Sequence, residues 1–531
     1  MSAPAAGGLL VVADRVLTLD GSVASAPDAV LVRDGRVAAI GRAAGLRSVA
    51  PDVDVHEFPG GSVLPGLTDS HIHLTEWALA LREADLSRAG SPDAAAALAV
   101  EAAARTDGEW VRGRGWDPHR WGGTYPDRSR LDATLPDRPV VLQSHDMHAL
   151  WVNGEALRRA GIGAGTADPE GGRILRDDAG EPTGVLLESA GALVTRVLPA
   201  PEEAAKEAAV LEAQARLHAW GITGVHAFPS IHIADPEPFA VLESLRGRDR
   251  LRLRVLHHLP LDHLDRAIAD GVRSGDGDDW IRVGGVKMFL DGALGSRTAW
   301  MREPYAGSTD RGVQVIAEET FRAHVIRAAA AGIATTVHAI GDAAVARALD
   351  VLAAVPAKGL AVPHRIEHVQ CCPPDRLTDA GRAGIVCSVQ PSHLMTDWPI
   401  ADRHWGASRA RTTYAFRSLA EHGAVLAFGS DAPVEPADPR LGLHAAVRRT
   451  DLEGRPAGGW QPAERLGIDA AFRGYTIGPA IVAGRPHGGR ITVGAPADFA
   501  VWAGDPLRAN GSDLLGLQCM ATVVGGERVH G

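Results

Sequence analysis

The sequence predicts an α/β protein: a (β/α)8 TIM barrel, a small β-sandwich built from both chain termini, and a lid subdomain inserted after the first barrel strand. Three observations support this prediction. From residue 65 onward, short apolar runs alternate with helical stretches, a pattern typical of parallel α/β architecture. Short β runs occur near both ends of the chain. A block at 84–200, rich in Gly, Pro and Trp, interrupts the alternation.

The composition limits the classes of partner. The chain has 531 residues, of which 45% are hydrophobic, and a net charge of −11, which argues against nucleic acid or an anionic membrane as a partner. No apolar run reaches the roughly 18 residues of a membrane span, and the N-terminus lacks a basic leader pattern. The four scattered cysteines do not form a disulfide framework. We therefore expect a cytoplasmic enzyme with a small-molecule substrate. The composition does not decide between a monomer and a homodimer.

The two ends of the chain carry similar β patterns. Residues 8–58 alternate short β runs with turns, including a hairpin signal at 33–36, and the stretches 489–502 and 522–530 have the same character. We predict that residues 1–64 and 476–531 form one β-sandwich. Residues 65–475 then form the barrel as an insertion into it.

The barrel region offers one strand too many. The strand candidates are 65–73, 139–145, 222–229, 251–259, 283–290, 333–339, 364–369, 385–390 and 424–430. The run at 139–145 lies inside the block 84–200, and dropping it leaves the eight strands that a barrel needs. We therefore predict that 84–200 folds as a lid over the barrel mouth.

The first barrel strand ends in two histidines, in the stretch Pro65-Gly-Leu-Thr-Asp-Ser-His-Ile-His. Residues i and i+2 of a strand point to the same face, so His71 and His73 direct two imidazoles to one point. Such a pair provides half of a zinc-type site. The alternative is two solvent-facing histidines at a strand end.

Other ligand-type residues occur at later strand ends, where the active residues of such barrels lie. His338, His368 and Asp431 end the fifth, sixth and eighth barrel strands. A single histidine of this kind is usually structural, but the set together predicts a metal site. Glu367 is a candidate partner of a ligand; neighbouring strand residues point to opposite faces, so we expect it to serve packing instead.

Lys287 lies in the apolar fourth barrel strand. Only three of the 54 lysine and arginine residues are lysines, so a lysine kept inside an apolar run indicates a need for lysine chemistry. Desolvation lowers the pKa of a buried ammonium, and a neutral amine can add carbon dioxide to become a carbamate that bridges two metals. The alternative is a lysine paired with Glu188 or Asp291.

The lid block is rich in indole rings. Trp116, Trp121 and Trp151 lie there with His145 and His148, and Glu188 lies where the block returns to the barrel. Indoles in a lid favour a pocket for an apolar or aromatic group, with Trp116, His145, His148 and Glu188 as its candidate residues. The alternative is that the tryptophans pack a small core of the lid itself.

Several stretches together resemble one family. They are Pro65-Gly-Leu-Thr-Asp-Ser-His-Ile-His, Gly115-Trp-Asp, Ser144-His-Asp-Met-His-Ala-Leu-Trp-Val-Asn, Pro182-Thr-Gly-Val-Leu-Leu-Glu, Val286-Lys-Met-Phe-Leu-Asp-Gly-Ala-Leu-Gly-Ser, Val337-His-Ala-Ile-Gly-Asp, Arg365-Ile-Glu-His, Gly429-Ser-Asp and Gly494-Ala-Pro-Ala-Asp. In these, the chain resembles the amidohydrolase superfamily, and more closely the Amidohydrolase family 3 branch that includes N-substituted formamide deformylases. One departure is Gly478, where the family usually has Asn.

The resemblance implies a ligand set and one or two divalent ions of the zinc type. His71 and His73 would bind the first metal, a carbamate on Lys287 would bridge, and His338 and His368 would bind the second metal. Asp431 would be both ligand and general base. A metal lowers the pKa of its water to about 7, so a metal-bound hydroxide would attack the carbonyl carbon. Asp431 would accept the proton that the water loses and then return it to the leaving nitrogen.

This interpretation predicts a hydrolase of C–N bonds other than peptide bonds, of the amide, formamide or carbamate type. The first alternative is a mononuclear-metal deaminase of a small heterocycle, against which Lys287 speaks because a bridging carbamate serves two ions. The second is a catalytically silent regulatory protein on the same scaffold. Such a protein would be expected to lose ligands, whereas this sequence keeps all six.

Overall fold

The computed structural model describes residues 8–20, 27–105, 108–145, 149–169, 172–230, 237–509 and 511–531. Within these residues the strands, in chain order, are β1 (Leu9–Val16), β2 (Ala29–Arg33), β3 (Arg36–Gly41), β4 (Asp54–Pro65), β5 (Leu67–Ile72), β6 (Ala84–Asp85), β7 (Val111–Trp116), β8 (Val140–Ser144), β9 (Ala149–Val152), β10 (Gly172–Arg176), β11 (Pro182–Glu188), β12 (Ile222–Ala227), β13 (Arg254–Pro260), β14 (Ile281–Phe289), β15 (Thr335–Ala339), β16 (Arg365–His368), β17 (Val386–Val389), β18 (Leu426–Phe428), β19 (Phe499–Ala503), β20 (Cys519–Val524) and β21 (Glu527–His530).

The α-helices of the described residues are α1 (Ala43–Val49), α2 (Leu74–Ala80), α3 (Pro92–Ala104), α4 (Ser129–Thr134), α5 (Gly154–Arg159), α6 (Ala192–Thr195), α7 (Glu203–Ala219), α8 (Ala240–Gly247), α9 (Leu264–Ala269), α10 (Glu318–Ala330), α11 (Asp342–Ala354), α12 (Asp379–Ala383), α13 (Leu394–His404), α14 (Gly406–Ala410), α15 (Phe416–Glu421), α16 (Pro439–Arg448), α17 (Ile468–Gly474) and α18 (Ile477–Val482). In these parts of the chain, no helix combines the length and the apolarity that crossing a bilayer requires.

The predicted barrel is confirmed. Eight described strands form one parallel sheet in the order β5-β12-β13-β14-β15-β16-β17-β18. An isolated parallel bridge joins Ile72 to Ala432, and the Asp431 N–H donates to the His71 carbonyl over 2.6 Å. The first and last strands therefore meet, and the sheet is a nearly closed barrel. Each strand begins at one rim and ends at the other, so the carboxyl ends of all eight share one rim.

The two ends of the chain pair as predicted. They form one mixed sheet in the order β21-β20-β19-β4-β1-β2-β3, in which β4 pairs with β19 antiparallel, with Val63 opposite Val501. Both ends contribute to one apolar core, since Val32 from one end and Val523 from the other lie in the same buried cluster. The structure thus has a single mixed sheet where the sequence predicts a sandwich.

The link from this sheet into the barrel is short. Val63 and Leu64 are fully buried near the end of β4 at Pro65, and β5 begins two residues later, at Leu67. Gly66 lies between them, where a Cβ atom would approach the Thr223 hydroxyl to 2.2 Å. The close packing of β4, β5 and β12 therefore requires glycine at this position. It also fixes the start of the strand that carries His71.

The surplus strand belongs to the insertion. β8 lies between β7 and β9 in a six-stranded sheet of order β10-β11-β9-β8-β7-β6, outside the barrel sheet. The insertion is part of a compact unit of residues 75–210 and 230–238, as far as these residues are described. An inserted sheet after β5 is therefore confirmed. Its position over the barrel mouth stays a prediction.

Gly478, the departure from the family pattern, has a local explanation. It lies near the start of α18, where a Cβ atom would come within 1.9 Å of the Leu426 carbonyl oxygen. A larger residue such as Asn would push α18 away from β18. The chain packs this helix directly against the last barrel strand instead.

Candidate metal centre

Two histidines and one aspartate converge at the carboxyl ends of β5 and β18. The Nε2 atoms of His71 and His73 lie 3.2 Å and 3.4 Å from Asp431 Oδ1. One ligand atom from each of the three residues lies within 4.8 Å of the others, and all three residues are buried. This spacing and this donor set suit a tetrahedral or five-coordinate divalent ion.

The backbone beyond β18 directs Asp431 toward the histidines. β18 ends at Phe428, and Asp431 has a positive φ of 60°, a conformation that a non-glycine residue rarely adopts. The carboxylate then faces both imidazoles. Burial alone would raise its pKa, but His71 and His73 hold the pKa of Asp431 well below its usual range. The carboxylate is therefore ionised, as a ligand must be.

Hydrogen bonds to the other ring nitrogens orient both histidines. His71 Nδ1 lies 2.7 Å from Glu367 Oε2, and His73 Nδ1 lies 2.5 Å from the Pro229 carbonyl oxygen. Both partners accept, so each Nδ1 carries the proton and each Nε2 keeps a free lone pair toward Asp431. Burial lowers the pKa of His71 to about 4, which favours the neutral imidazole that metals bind.

Glu367 corrects an expectation from the sequence. Strand alternation predicts that its side chain points away from that of His368, yet both side chains point into the barrel interior. The reason is local: His368 has a positive φ of 74° and Val369 one of 47°, so the alternation breaks at the end of β16. Glu367 is fully buried and bonds to both His71 and Arg365. It orients a metal ligand and does not merely pack.

Arg365 is the centre of a polar network beneath the site. Its Nη1 lies 3.0 Å from His226 Nδ1, and its Nη2 donates to the Ser70 carbonyl at 2.7 Å and to Ser388 Oγ at 2.9 Å. These bonds satisfy a guanidinium that is almost completely buried. Through its ion pair with Glu367, which bonds to His71, Arg365 connects His71 to groups on four barrel strands.

Lys287 lies in β14 and is 5% exposed. Its Nζ lies 4.6 Å from the centre of the Phe228 ring and 4.8 Å from that of Phe289. Burial lowers the pKa of Lys287 to about 8, although the charges of Glu367 and Asp431 favour the ammonium. A lowered pKa increases the neutral fraction of the amine, and carbamate formation requires the neutral amine.

One alternative for Lys287 was a pair with Asp291. The Asp291 carboxylate accepts backbone N–H groups from Trp300, Ile340 and Gly341 at 2.8–3.0 Å. It therefore holds together the loops that follow β14 and β15. For the other candidate, Glu188, the structure describes only the backbone, at the end of β11.

His338 and His368 lie next to each other at the ends of β15 and β16. Their ring centres are 4.4 Å apart, and the His368 ring is 5.2 Å from that of His71. His338 Nε2 donates to the Gly292 carbonyl at 3.0 Å, which leaves its Nδ1 free. Burial, followed by the charge of Lys287, lowers the pKa of His338 to about 3.

The donors present fit a metal. The buried Nδ1 atom of His368 has no hydrogen-bond partner among the described residues. A buried polar atom without a partner costs free energy, and a metal bond is a common reason for leaving one. The site residues also lie close together, because the charge of Lys287 lowers the pKa of His71, His338 and His368.

Sequence reasoning missed the loop after β17. Gln390 Nε2 lies 3.3 Å from His71 Nδ1, and His393 Nε2 lies 3.8 Å from Asp431 Oδ2. His393 Nε2 is buried and has no hydrogen-bond partner among the described residues. Its position three residues beyond a strand candidate was a signal, because loops at this rim carry functional side chains.

The candidate pocket residues of the lid lie in different settings. Trp116 is fully buried in the core of the inserted unit, stacked on Trp121 at 5.8 Å, and its Nε1 donates to the Leu142 carbonyl. This favours the alternative in which the tryptophans pack the insertion itself. His145 is exposed at the end of β8. His148 lies outside the described residues.

Comparisons with known proteins complete the description of the site. The sequence model of the Amidohydrolase family matches residues 59–530. The chain belongs to this family. This amidohydrolase is 32% identical over 513 residues to YtcJ of Bacillus subtilis (strain 168), covering 95% of this chain and 96% of YtcJ. It is 29% identical to the N-substituted formamide deformylase of Arthrobacter pascens, covering 98% and 97% of the two chains.

A solved structure has the same fold. It is that of an uncharacterized metal-dependent hydrolase from Pyrococcus horikoshii OT3, with a TM-score of 0.79, 26% identity and coverage of 94% of this amidohydrolase and 98% of the other chain. The predicted family is confirmed. The protein is an amidohydrolase-family hydrolase, and His71, His73 and Asp431 form its metal site.

Proposed function

We propose that this amidohydrolase hydrolyses a C–N bond of the amide, formamide or carbamate type, with Lys287 as a carbamate between two divalent ions. The observation that carries the proposal is the buried lysine on β14, whose pKa is lowered to about 8 and whose charge acts on three histidines of the site. A permanently charged structural cation would be served equally well by arginine, which this chain otherwise prefers.

In this proposal the two ions have distinct ligands. His71, His73 and Asp431 would hold the first, and His338 and His368 would hold the second. Glu367 and the Pro229 carbonyl keep His71 and His73 in the tautomer that binds through Nε2. When bound, ions of the zinc type supply Lewis acidity, which lowers the pKa of a coordinated water to about 7.

The chain's own residues move the proton. Asp431 Oδ2 accepts the proton that the attacking water loses, while Oδ1 faces the two histidines. The same carboxyl group returns the proton to the leaving nitrogen, because an amide anion is too basic to depart. His393 Nε2, 3.8 Å from Oδ2, is placed to hydrogen-bond the substrate near the reacting carbon.

One relative directly supports the proposed substrate class. The Arthrobacter pascens protein is named as an N-substituted formamide deformylase and aligns with almost the whole chain. We therefore infer that an N-substituted formamide is the first substrate to test. Its hydrolysis yields formate and an amine, so both products can be measured.

The test is a substrate screen with the purified holoenzyme. N-substituted formamides, N-acyl amino acids and aminopurines are compared in one assay for amine, carboxylate and ammonia. We expect amine release from one of the first two classes and its loss in Asp431→Asn. A matched control is Asp469→Asn, because Asp469 is exposed on α17 and pairs with Arg473. Full turnover by Asp431→Asn would contradict the proposed role.

A mononuclear deaminase is the second candidate. The observation that favours it is that His71, His73 and Asp431 by themselves form a compact set of ligand atoms. One ion held there would need no bridge from Lys287. Ammonia release from an aminopurine by protein with one metal per chain, unaffected by Lys287→Arg, would select this candidate over the first.

A further inference from the structure

A cavity lies at the rim of the barrel opposite the metal centre, where the strands begin. Its walls come from the amino ends of β5, β12, β13 and β14, from the end of α18, and from the segment 485–498 that leads into the terminal sheet. We call it the lower cavity. The metal-site residues lie at the carboxyl ends of the barrel strands, at the other rim, so the lower cavity is a separate site.

The lower cavity carries an excess of positive charge. Its arginines are Arg254, Arg282, Arg485 and Arg490, and its carboxylates are Asp279 and Asp498. Four cations thus face two anions, in a protein whose net charge is −11. A concave wall with one dominant sign focuses the potential inside it and attracts ions of the other sign.

Both carboxylates are already engaged. Asp498 accepts two hydrogen bonds from Arg254, of 2.9 Å and 3.0 Å. It also accepts one from the Gly525 N–H at 2.7 Å. Asp279 is shared between Arg36 at 2.9 Å and Arg485 at 3.4 Å. They therefore neutralise Arg254 and, in part, Arg485. The part of the chain that the structure describes offers no other carboxylate in the lower cavity to the remaining guanidinium groups.

Among the described residues, three arginines keep unused donors. There, Arg282 bonds to the Gly275 and Ala483 carbonyls through Nε and Nη1, Arg485 uses only Nη2, and Arg490 uses only Nη1. All three side chains are half-buried, and burial followed by the charge of Arg282 lowers the pKa of Arg485. Neighbouring cations that repel one another are stabilised by an anion between them.

We propose that the lower cavity binds a small dianionic oxyanion, a phosphate group, through Arg282, Arg485 and Arg490. Its volume of about 120 Å³ exceeds that of a single-water site by a wide margin and leaves room for a tetrahedral ion. Guanidinium groups match phosphate oxygens through paired N–H donors, which a lysine could not offer in the same geometry. The excess of two positive charges matches a dianion.

The test is calorimetric titration of the holoenzyme with inorganic phosphate at constant ionic strength. The wild type is expected to bind one phosphate per chain, and Arg485→Gln and Arg490→Gln are each expected to bind about tenfold more weakly, one charged bidentate contact being lost. Arg473→Gln is the matched control, because Arg473 is a half-buried arginine, like those of the lower cavity, and pairs with Asp469 outside it. It should bind like the wild type.

Two outcomes would overturn the proposal. One is the absence of saturable phosphate binding to the wild type. The other is unchanged affinity in both cavity variants, which would assign the phosphate to the metal centre. If Arg485→Gln unfolds, Arg490→Gln decides alone, since the bonds of Arg490 to described residues go to the nearby Pro486 and Gly488 carbonyls. Repeating the titration with glycerol phosphate shows whether a free phosphate or a phosphate monoester is preferred.

Discussion

At the scale of single residues, the metal site depends on a carboxylate that binds no metal. Glu367 accepts the Nδ1 proton of His71 and pairs with the buried guanidinium of Arg365. It therefore fixes the ring that holds the ion and neutralises the network beneath it. Strand alternation could not predict this, because the positive φ of His368 brings two consecutive side chains to the interior.

Glu367→Gln should weaken metal binding. Glutamine keeps an acceptor for His71 but leaves Arg365 without its counter-charge, so we expect metal affinity to fall by about 10–100-fold and the free energy of unfolding to fall by about 3 kcal/mol. Competition with a chelator and denaturant unfolding measure the two effects. Glu421→Gln, which removes an exposed pair with Arg417, should change neither by a measurable amount. Unchanged metal affinity in Glu367→Gln would contradict the role given to Glu367.

Lys287→Arg should lose metal and activity while the fold survives. A carbamate needs a neutral primary amine, which a guanidinium cannot supply. Lys287→Ala should regain part of its activity when a short carboxylate such as acetate is added, because the carboxylate can replace the bridge. Lys206→Arg is the control, since Lys206 pairs with Glu203 within α7 and is not among the proposed ligands. Near-normal turnover and full metal content in Lys287→Arg would show that the lysine is structural.

At the scale of single elements, the site is built where regular strands stop. The sequence pattern located all eight barrel strands and placed His71, Lys287, His338 and His368 on them. It could not predict the left-handed residues beyond β16 and β18, because period-two alternation carries no information about where it ends. His393 was missed for the same reason, since it belongs to the loop after β17 and not to the strand.

Gly429→Ala should damage the site through the backbone. A Cβ atom at Gly429 would lie 2.4 Å from the His71 backbone nitrogen and 2.7 Å from its Cβ, so β5 and β18 would have to separate. We expect a loss of about 1–3 kcal/mol in the free energy of unfolding and weaker metal binding, measured by denaturant unfolding and metal titration. Gly247→Ala, at the end of α8 with open space around it, should be neutral or stabilising. Equal behaviour of the two variants would contradict this packing argument.

At the scale of the whole molecule, the two chain ends and the barrel are one structural unit. β4 pairs with β19 and passes directly into β5, so the terminal sheet fixes the strand that carries His71 and His73. The repetition of β patterns at both ends was enough to predict this pairing. The insertion was recognised by its composition, but the burial of Trp116 and Trp151 in its own core depends on contacts between distant strands, which composition does not encode.

Removing the metal should lower the stability of the whole barrel. An ion that binds only the folded state adds free energy according to its concentration, about 4 kcal/mol at 1,000 times its dissociation constant. We therefore expect a chelator to lower Tm and abolish turnover, and a divalent ion to restore both. The Tm of Asp431→Asn should respond much less to the chelator. A wild-type Tm that stays constant after the metal has been removed would contradict a site that joins the first and last strands.

The metal content of active wild-type protein tests the central claim most directly. Elemental analysis and turnover should be measured on the same sample, before and after chelation. The proposed centre predicts one or two equivalents of a divalent metal per chain and a turnover that falls in proportion as the metal is removed. Full turnover by protein that contains no metal would contradict it.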